Sequence, residues 1–334
     1  MKVSKLLVKY FGLVPNENGV FSPRSSFLSD GLFRFTQPIY LNDQGSESKL
    51  YPYYNEYSPA DLEWAKQQFI KDGGSIKSEK DEKFIKDLYL SRAPDDRYGD
   101  IFPHLVQTQL GFSSLDDFDK EQLQIKVTRL NSDIIENISA KLGVFSLCKS
   151  MVNELMWTHY ASEGRGIAIA FNQEHQFFKK AIISDISYKD SDRASITYYK
   201  GAWRLNGLPV KDWQSIDKGI NCEEIIHKLL FSKDSKWCYE DEIRVVSLLE
   251  QCEFKRGNII EYSNNLSGKR ISHHEINLKK IPFDAFDSLV FGKNINPVHK
   301  SAITNKVVSN PLLSHLKLKT VEYDVFGDLD VTDI

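Results

Sequence analysis

Strand-like and helical runs alternate irregularly along this chain, and that irregularity limits its fold more than any other feature. "GIAIAF" (Gly166–Phe171) is a short apolar run bounded by turn signals, as expected of a buried strand. "EIRVVSL" and "DSLVFGKNI" read as further strands, whereas "CEEIIHKLLFS" reads as a helix with Ile225 and Leu229 facing inward. Such interleaving predicts an α+β fold with a mixed or antiparallel sheet, not a doubly wound parallel one. No G-x-G-x-x-G, P-loop or G-x-S-x-G is present, so the corresponding dinucleotide, nucleotide and hydrolase sites are excluded.

The first fifty residues read as short strands and turns. "GLFRFTQPIYLND" (Gly31–Asp43) alternates Leu32, Arg34 and Thr36 against Phe33 and Phe35, ending at Pro38. Residues 58–137 read as helical. "SPADLEWAKQQFI" opens with Ser58 as N-cap, Pro59 at the first helical position and Asp61 three residues after the cap. Leu62, Ala65 and Phe69 then share one face, and Gly73–Gly74 stops the helix. These signals predict one domain over residues 1–334, with a helical insertion at 50–140 packed on one side of a sheet.

With 334 residues, the chain can bury a sizeable core. Its net charge of −3 supplies no global field for nucleic acid, although a local basic groove is compatible with it. Cys148, Cys222, Cys238 and Cys252 form no C-x-x-C pair, which argues against structural zinc and for free thiols in a reducing cytoplasm. No stretch reaches the roughly 20 apolar residues of a membrane span. A cytoplasmic protein with no membrane partner is expected.

Three stretches carry polar groups suited to chemistry. In "SKWCYEDEIRVVSL" (Ser235–Leu248), an extended run places Glu240, Glu242 and Arg244 on one face, with Tyr239, Asp241, Ile243 and Val245 on the other. That row is either a solvated face or a site, and the apolar continuation favours burial. In "LMWTHYASEGRGIAIAF" (Leu155–Phe171), Trp157, Tyr160 and Ala161 share a helical face, with Trp157 the natural core anchor. His159 lies off that face, and Arg165 between two glycines is a cation that could meet a phosphate. In "RFTQPIYLNDQGSE" (Arg34–Glu47), Asn42 and Asp43 are either ordinary turn residues or hold a loop over a ligand.

Taken in order, "KYF" (Lys9–Phe11), "SDGLFRFTQPIYLNDQGSE", "GVFSLCKSMVNELMWTHYASEGRGIAIAF", "KWCYEDEIRVV" and "SLVFGKNI" resemble a bacterial family, the domain of unknown function numbered twenty-nine seventy-one. That family is in turn similar to ADP-ribosyltransferases, which implies a sheet core of that type. The chain departs from the pattern twice. Lys9, Tyr10 and Phe11 stand where many members carry "HYT", and Gln44 replaces the proline of "LNDP".

The resemblance implies NAD as substrate and a toxin or phage-defence effector that modifies a macromolecule, protein or RNA. It leaves room for a neutralising antitoxin. It places the late acidic element on Glu240 and Glu242. Glu242 would stabilise the oxocarbenium-like ribose and Glu240 orient the acceptor. Tyr10 and Tyr160 would stack on nicotinamide or support the carboxylates. Arg34 or Arg165 would meet the pyrophosphate, and Arg244 would either join them or brace Glu242. The NAD-binding set thus comprises Tyr10, Arg34, Asn42, Asp43, His159, Arg165 and Arg244.

Two other readings stand beside it. A metal-dependent phosphodiesterase or nuclease would use Asp43, His159, Glu240 and Glu242 around Mg²⁺ or Mn²⁺. A non-enzymatic binding module would use the helical insertion as its partner surface.

Overall fold

A computed structural model describes residues 6–15, 19–42, 48–90, 105–210, 223–263 and 270–334. Asp43 and Gln44 lie outside the described residues, as does 91–104 of the expected insertion. The chain divides into two compact units, 1–40 with 139–186 and 236–334, and 41–138 with 187–235. Strands are numbered along the whole chain.

The first unit is built on an eight-stranded sheet. Its strands are β1 (Leu6–Phe11), β6 (Leu142–Cys148), β7 (Ile167–Asn172), β8 (Ile182–Asp185), β12 (Glu242–Leu248), β15 (Phe286–Phe291), β16 (Lys317–Tyr323) and β17 (Leu329–Asp333). The order is β17-β16-β15-β7-β1-β6-β12-β8, and every pairing is antiparallel except β15 with β16. This is the mixed, mainly antiparallel core that the irregular interleaving predicts. The expected "GIAIAF" strand is β7, and its apolar run reflects burial on both faces. Ile167, Ile169 and Phe171 enter one core cluster while Ala168 and Ala170 enter the other.

Smaller pairings flank this sheet. β2 (Leu13–Pro15) pairs with β3 (Phe21–Pro23), and β4 (Leu32–Arg34) lies beside β14 (Arg270–Lys280), itself paired with β13 (Phe254–Ser263). The expected strand over "GLFRFTQP" is therefore only three residues long. Thr36 forms an isolated bridge with Val144 of β6, and Pro38–Tyr40 turns as a 3₁₀ helix.

That bridge marks a break in the main sheet. β1 pairs with β7 along six residues but meets β6 at one position, Val8 opposite Cys148. Beyond it, Thr36 and Val144 exchange both backbone hydrogen bonds, at 2.8 Å each. Lys9 Nζ donates to Ser146 O at 2.8 Å, satisfying a carbonyl that lies past that single pairing. The sheet thus opens between β1 and β6.

The second unit carries a four-stranded sheet, β11 (Leu208–Val210), β10 (Ala202–Leu205), β9 (Ser195–Tyr199) and β5 (Tyr51–Tyr54), in that order. The helical stretch expected at 50–140 therefore includes a strand and is grouped with 187–235. The helix Pro59–Lys71 begins as the capping box indicates: Ser58 Oγ accepts from Asp61 N, and Asp61 accepts from Ser58 N. It ends at Asp72, before Gly73 at φ +88°. Its buried residues are Asp61 and Ala65, whereas Leu62, expected to face inward, is exposed. The difference follows from Asp61, whose hydrogen bonds to β9 and β10 turn that side of the helix toward the sheet.

Candidate active site

The late acidic stretch is not one continuous strand. Ser235–Glu240 coils as a 3₁₀ helix, Asp241 sits in the left-handed region at φ +42°, and β12 begins at Glu242. The expected shared face of Glu240, Glu242 and Arg244 therefore holds only for the last two. The physical reason lies in the turn, which Asp241 N closes onto Cys238 O. Lys149, within 3.5 Å of Asp241 and 3.0 Å of Asp185, ties the same corner to the end of β8.

Both glutamates are nonetheless buried, each 4% exposed. Arg244, 1% exposed, donates from Nε to Glu242 Oε1 at 2.8 Å and from Nη2 to Oε2 at 3.3 Å. This side-on fork fixes the carboxylate plane as a single hydrogen bond would not. Of the two roles left open for Arg244, bracing Glu242 is the one its contacts display. Glu240 accepts from the Tyr160 hydroxyl at 2.5 Å.

Tyr160 reaches Glu240 because the helix Glu154–Tyr160 is held at both ends. At its start, Asn153 Oδ1 accepts from Met156 N, while Asn153 Nδ2 donates to Tyr239 O, the carbonyl just before Glu240. One amide therefore joins the Tyr160 helix to the Glu240 turn. Beyond its end, Ser162, Glu163 and Gly164 all adopt left-handed angles of +51°, +60° and +76°. This turn packs where only glycine fits. A Cβ on Gly166 would lie 2.0 Å from Phe11 O, and one on Gly292 would lie 2.2 Å from Gly164 O. The glycines of "EGRG" and "VFGK" therefore permit the end of β1, the turn and the end of β15 to meet backbone to backbone.

Lys9 is the group that sequence reasoning passed over in favour of Tyr10 and Arg34. It lies at the sheet opening, 5.3 Å from the Phe145 ring centroid. Burial lowers its pKa to about 8, while Glu242 and Glu240 pull it back up and Arg24 pushes it further down. Lys9 thus lies within electrostatic reach of both glutamates. The sequence signal was available: Lys9 is the one charged residue in the apolar strand "LLVKYF". Arg24, exposed and adding a second positive charge, carried no comparable signal.

The remaining expected residues are placed as follows. Tyr10 is packed edge-on against Trp157 at 5.0 Å and donates to Ser150 O at 2.7 Å, and burial raises its pKa. Its partner Trp157 is the core anchor that the helical face predicts, 2% exposed. His159 is exposed, its ring 5.8 Å from that of Tyr239. Arg165 is exposed on the left-handed turn, bonded to Ser162 O at 3.0 Å and to Glu163 at 3.2 Å. Arg34 is half-buried on β4, opposite Leu278. Asn42 belongs to the second unit and is exposed. Among the described residues, no group of three or more His, Cys, Asp or Glu side chains could hold a metal ion.

Chemically, the arrangement offers a fixed carboxylate at Glu242, a second carboxylate at Glu240 bonded to a phenol, and an amine at Lys9 whose pKa burial lowers to about 8. A family described as protein of unknown function (DUF2971) matches residues 156–245, the segment that carries Tyr160, Glu240, Glu242 and Arg244. No curated protein and no solved structure matches the chain.

Proposed function

We propose that this chain is an ADP-ribosyltransferase-like enzyme that breaks the nicotinamide–ribose bond of NAD and passes ADP-ribose to a macromolecule. The observation that carries the reading is the Glu242–Arg244 fork buried beside the opening between β1 and β6, with Glu240, Tyr160 and Lys9 around it. A carboxylate fixed in that way can stabilise positive charge growing on the ribose without first reorganising. In the proposed reaction nicotinamide departs with the bonding electrons, an acceptor nucleophile bonds to the ribose carbon, and the acceptor's proton passes to Glu240. Lys9, with Arg24 near it, supplies positive charge for the diphosphate, a role that the resemblance assigns to Arg34 or Arg165.

The setting as a bacterial toxin or phage-defence effector, the protein or RNA acceptor and any antitoxin follow from the family resemblance and belong to the same proposal. No helix among the described residues is long and apolar enough to cross a membrane.

The test is transfer of label from adenylate-labelled NAD to protein or RNA in a cell lysate. Glu242→Gln should lower the rate by on the order of 10²–10⁴. Full transfer by this variant would remove Glu242 from the chemistry, and a wild-type chain that neither cleaves nor transfers NAD would end the proposal.

A further inference from the structure

The β16–β17 hairpin carries Val325 and Phe326 at its tip, 92% and 87% exposed, the two most exposed large apolar side chains among the described residues. The turn beneath them is firmly held. Asp324 N donates to Asp328 O at 2.8 Å, and Gly327 N donates to Asp324 O at 3.2 Å. Asp324 Oδ1 accepts from Phe326 N at 2.8 Å and from Asp328 N at 2.9 Å. Gly327, at φ +90°, supplies the left-handed position that follows a turn of this kind in a hairpin. These bonds use only backbone groups and the Asp324 carboxylate, so the turn makes no use of the Val325 and Phe326 side chains. Polar residues ordinarily fill such places. Here two adjacent apolar side chains are instead presented to water on a fixed support.

The charge around the tip has one sign. From Thr320 to Ile334 the chain has five carboxylates, Glu322, Asp324, Asp328, Asp330 and Asp333, and no Lys, Arg or His. Asp333 is ion-paired with Lys319 at 3.0 Å. Among the described residues, none of the other four is ion-paired. Their charge opposes an anionic membrane, the phosphates of a nucleic acid and the same hairpin of a second copy. A surface rich in Lys or Arg gains from it.

We propose that this hairpin tip is a docking element for a protein that presents an apolar pocket in a basic surface. Phe326 would fill the pocket, with Val325 at its edge, and the unpaired carboxylates would meet the basic rim. Because the turn is already held, docking costs little backbone freedom. No step of the NAD reaction enters this proposal.

The full chain, with photoreactive p-benzoylphenylalanine in place of Phe326, is irradiated in cell lysate, and the cross-linked peptide is sequenced. The protein it comes from is then purified and titrated with the unmodified chain. The expected adduct maps to an apolar pocket bordered by Lys or Arg. Phe326→Ser should weaken the complex about 10- to 100-fold, the worth of burying one phenylalanine. Asp328→Asn should weaken it by up to about fivefold, and added salt should weaken it further. Both variants should keep the wild-type Tm, since both side chains lie in water. No adduct, an adduct mapping outside such a pocket, or a complex unchanged by Phe326→Ser would overturn the proposal. The chain is also sedimented alone at rising concentration, and with vesicles of phosphatidylcholine and phosphatidylglycerol. Self-association or vesicle binding that Phe326→Ser abolishes would give the tip to a second copy or a membrane, and would overturn it equally.

Discussion

Each unit buries a carboxylate against an arginine, and the two pairs differ in what surrounds them. In the second unit Asp61, fully buried, accepts from Ser58 N, Ser58 Oγ and Thr197 Oγ1 as well as from Arg204 Nε at 3.0 Å. Arg204 also donates to Gly207 O at 2.5 Å and stacks over the Trp64 ring at 4.3 Å. Helix cap, β9 and β10 thereby meet in one network. In the first unit Arg244 holds Glu242 through two bonds where Arg204 gives Asp61 one, and the pair stands beside a second carboxylate, a phenol and a lysine of lowered pKa, at a break in the sheet. A buried ion pair is therefore weak evidence of a site when taken alone. What distinguishes the two is whether the neighbours complete a structural joint or gather further titratable groups.

The largest effect is expected at the structural pair. Asp61→Ala strands a buried guanidinium and removes the acceptor of four hydrogen bonds, and should cost about 3–5 kcal/mol. Urea denaturation followed by circular dichroism measures it. A loss below about 1 kcal/mol would show that the network does not join helix cap, β9 and β10.

Lys9 sharpens the other side of the contrast through pH. Its folded pKa of about 8 lies below the ordinary 10.5, with burial as the main cause. Between those values the unfolded chain holds the proton more tightly, so stability should rise with pH from about 8 toward 10.5 and be lost again as pH falls through that window. Lys9→Met has nothing to titrate and should flatten this rise in urea titrations across the window. An undiminished rise in the variant would assign it to other groups.

Much of the scaffold was legible because its signals are local. The two-faced apolar run of β7 and the Ser58–Pro59–Asp61 start each lie within a few residues of sequence. The site was legible only as a set of residue types. Asp241 takes a left-handed angle that neither glycine nor asparagine announces, so the extended reading of Glu240 failed at that residue. The bond from Lys9 to Ser146 spans 137 residues, and that from Tyr160 to Glu240 spans 80. No periodicity encodes such meetings. Leu62 failed differently: a helical face was counted by apolarity, and the polar Asp61 proved to be the side turned inward.

The smallest perturbation tests the comparison most directly, because one hydroxyl can be removed from each region. Thr197 donates to Asp61 at 2.5 Å, and Tyr160 donates to Glu240 at the same distance. Thr197→Val and Tyr160→Phe each delete one hydrogen bond to a buried carboxylate, worth about 1.5–3 kcal/mol where nothing replaces it. Thr197→Val should fall at or below the lower end, since Asp61 keeps three other donors. It should leave the pH profile of NAD transfer unchanged. Tyr160→Phe should shift that profile, because its partner Glu240 is the group proposed to take the acceptor's proton. Matched stability and rate measurements on both variants decide the outcome. A shifted profile with Thr197→Val and none with Tyr160→Phe would reverse the roles given to the two regions.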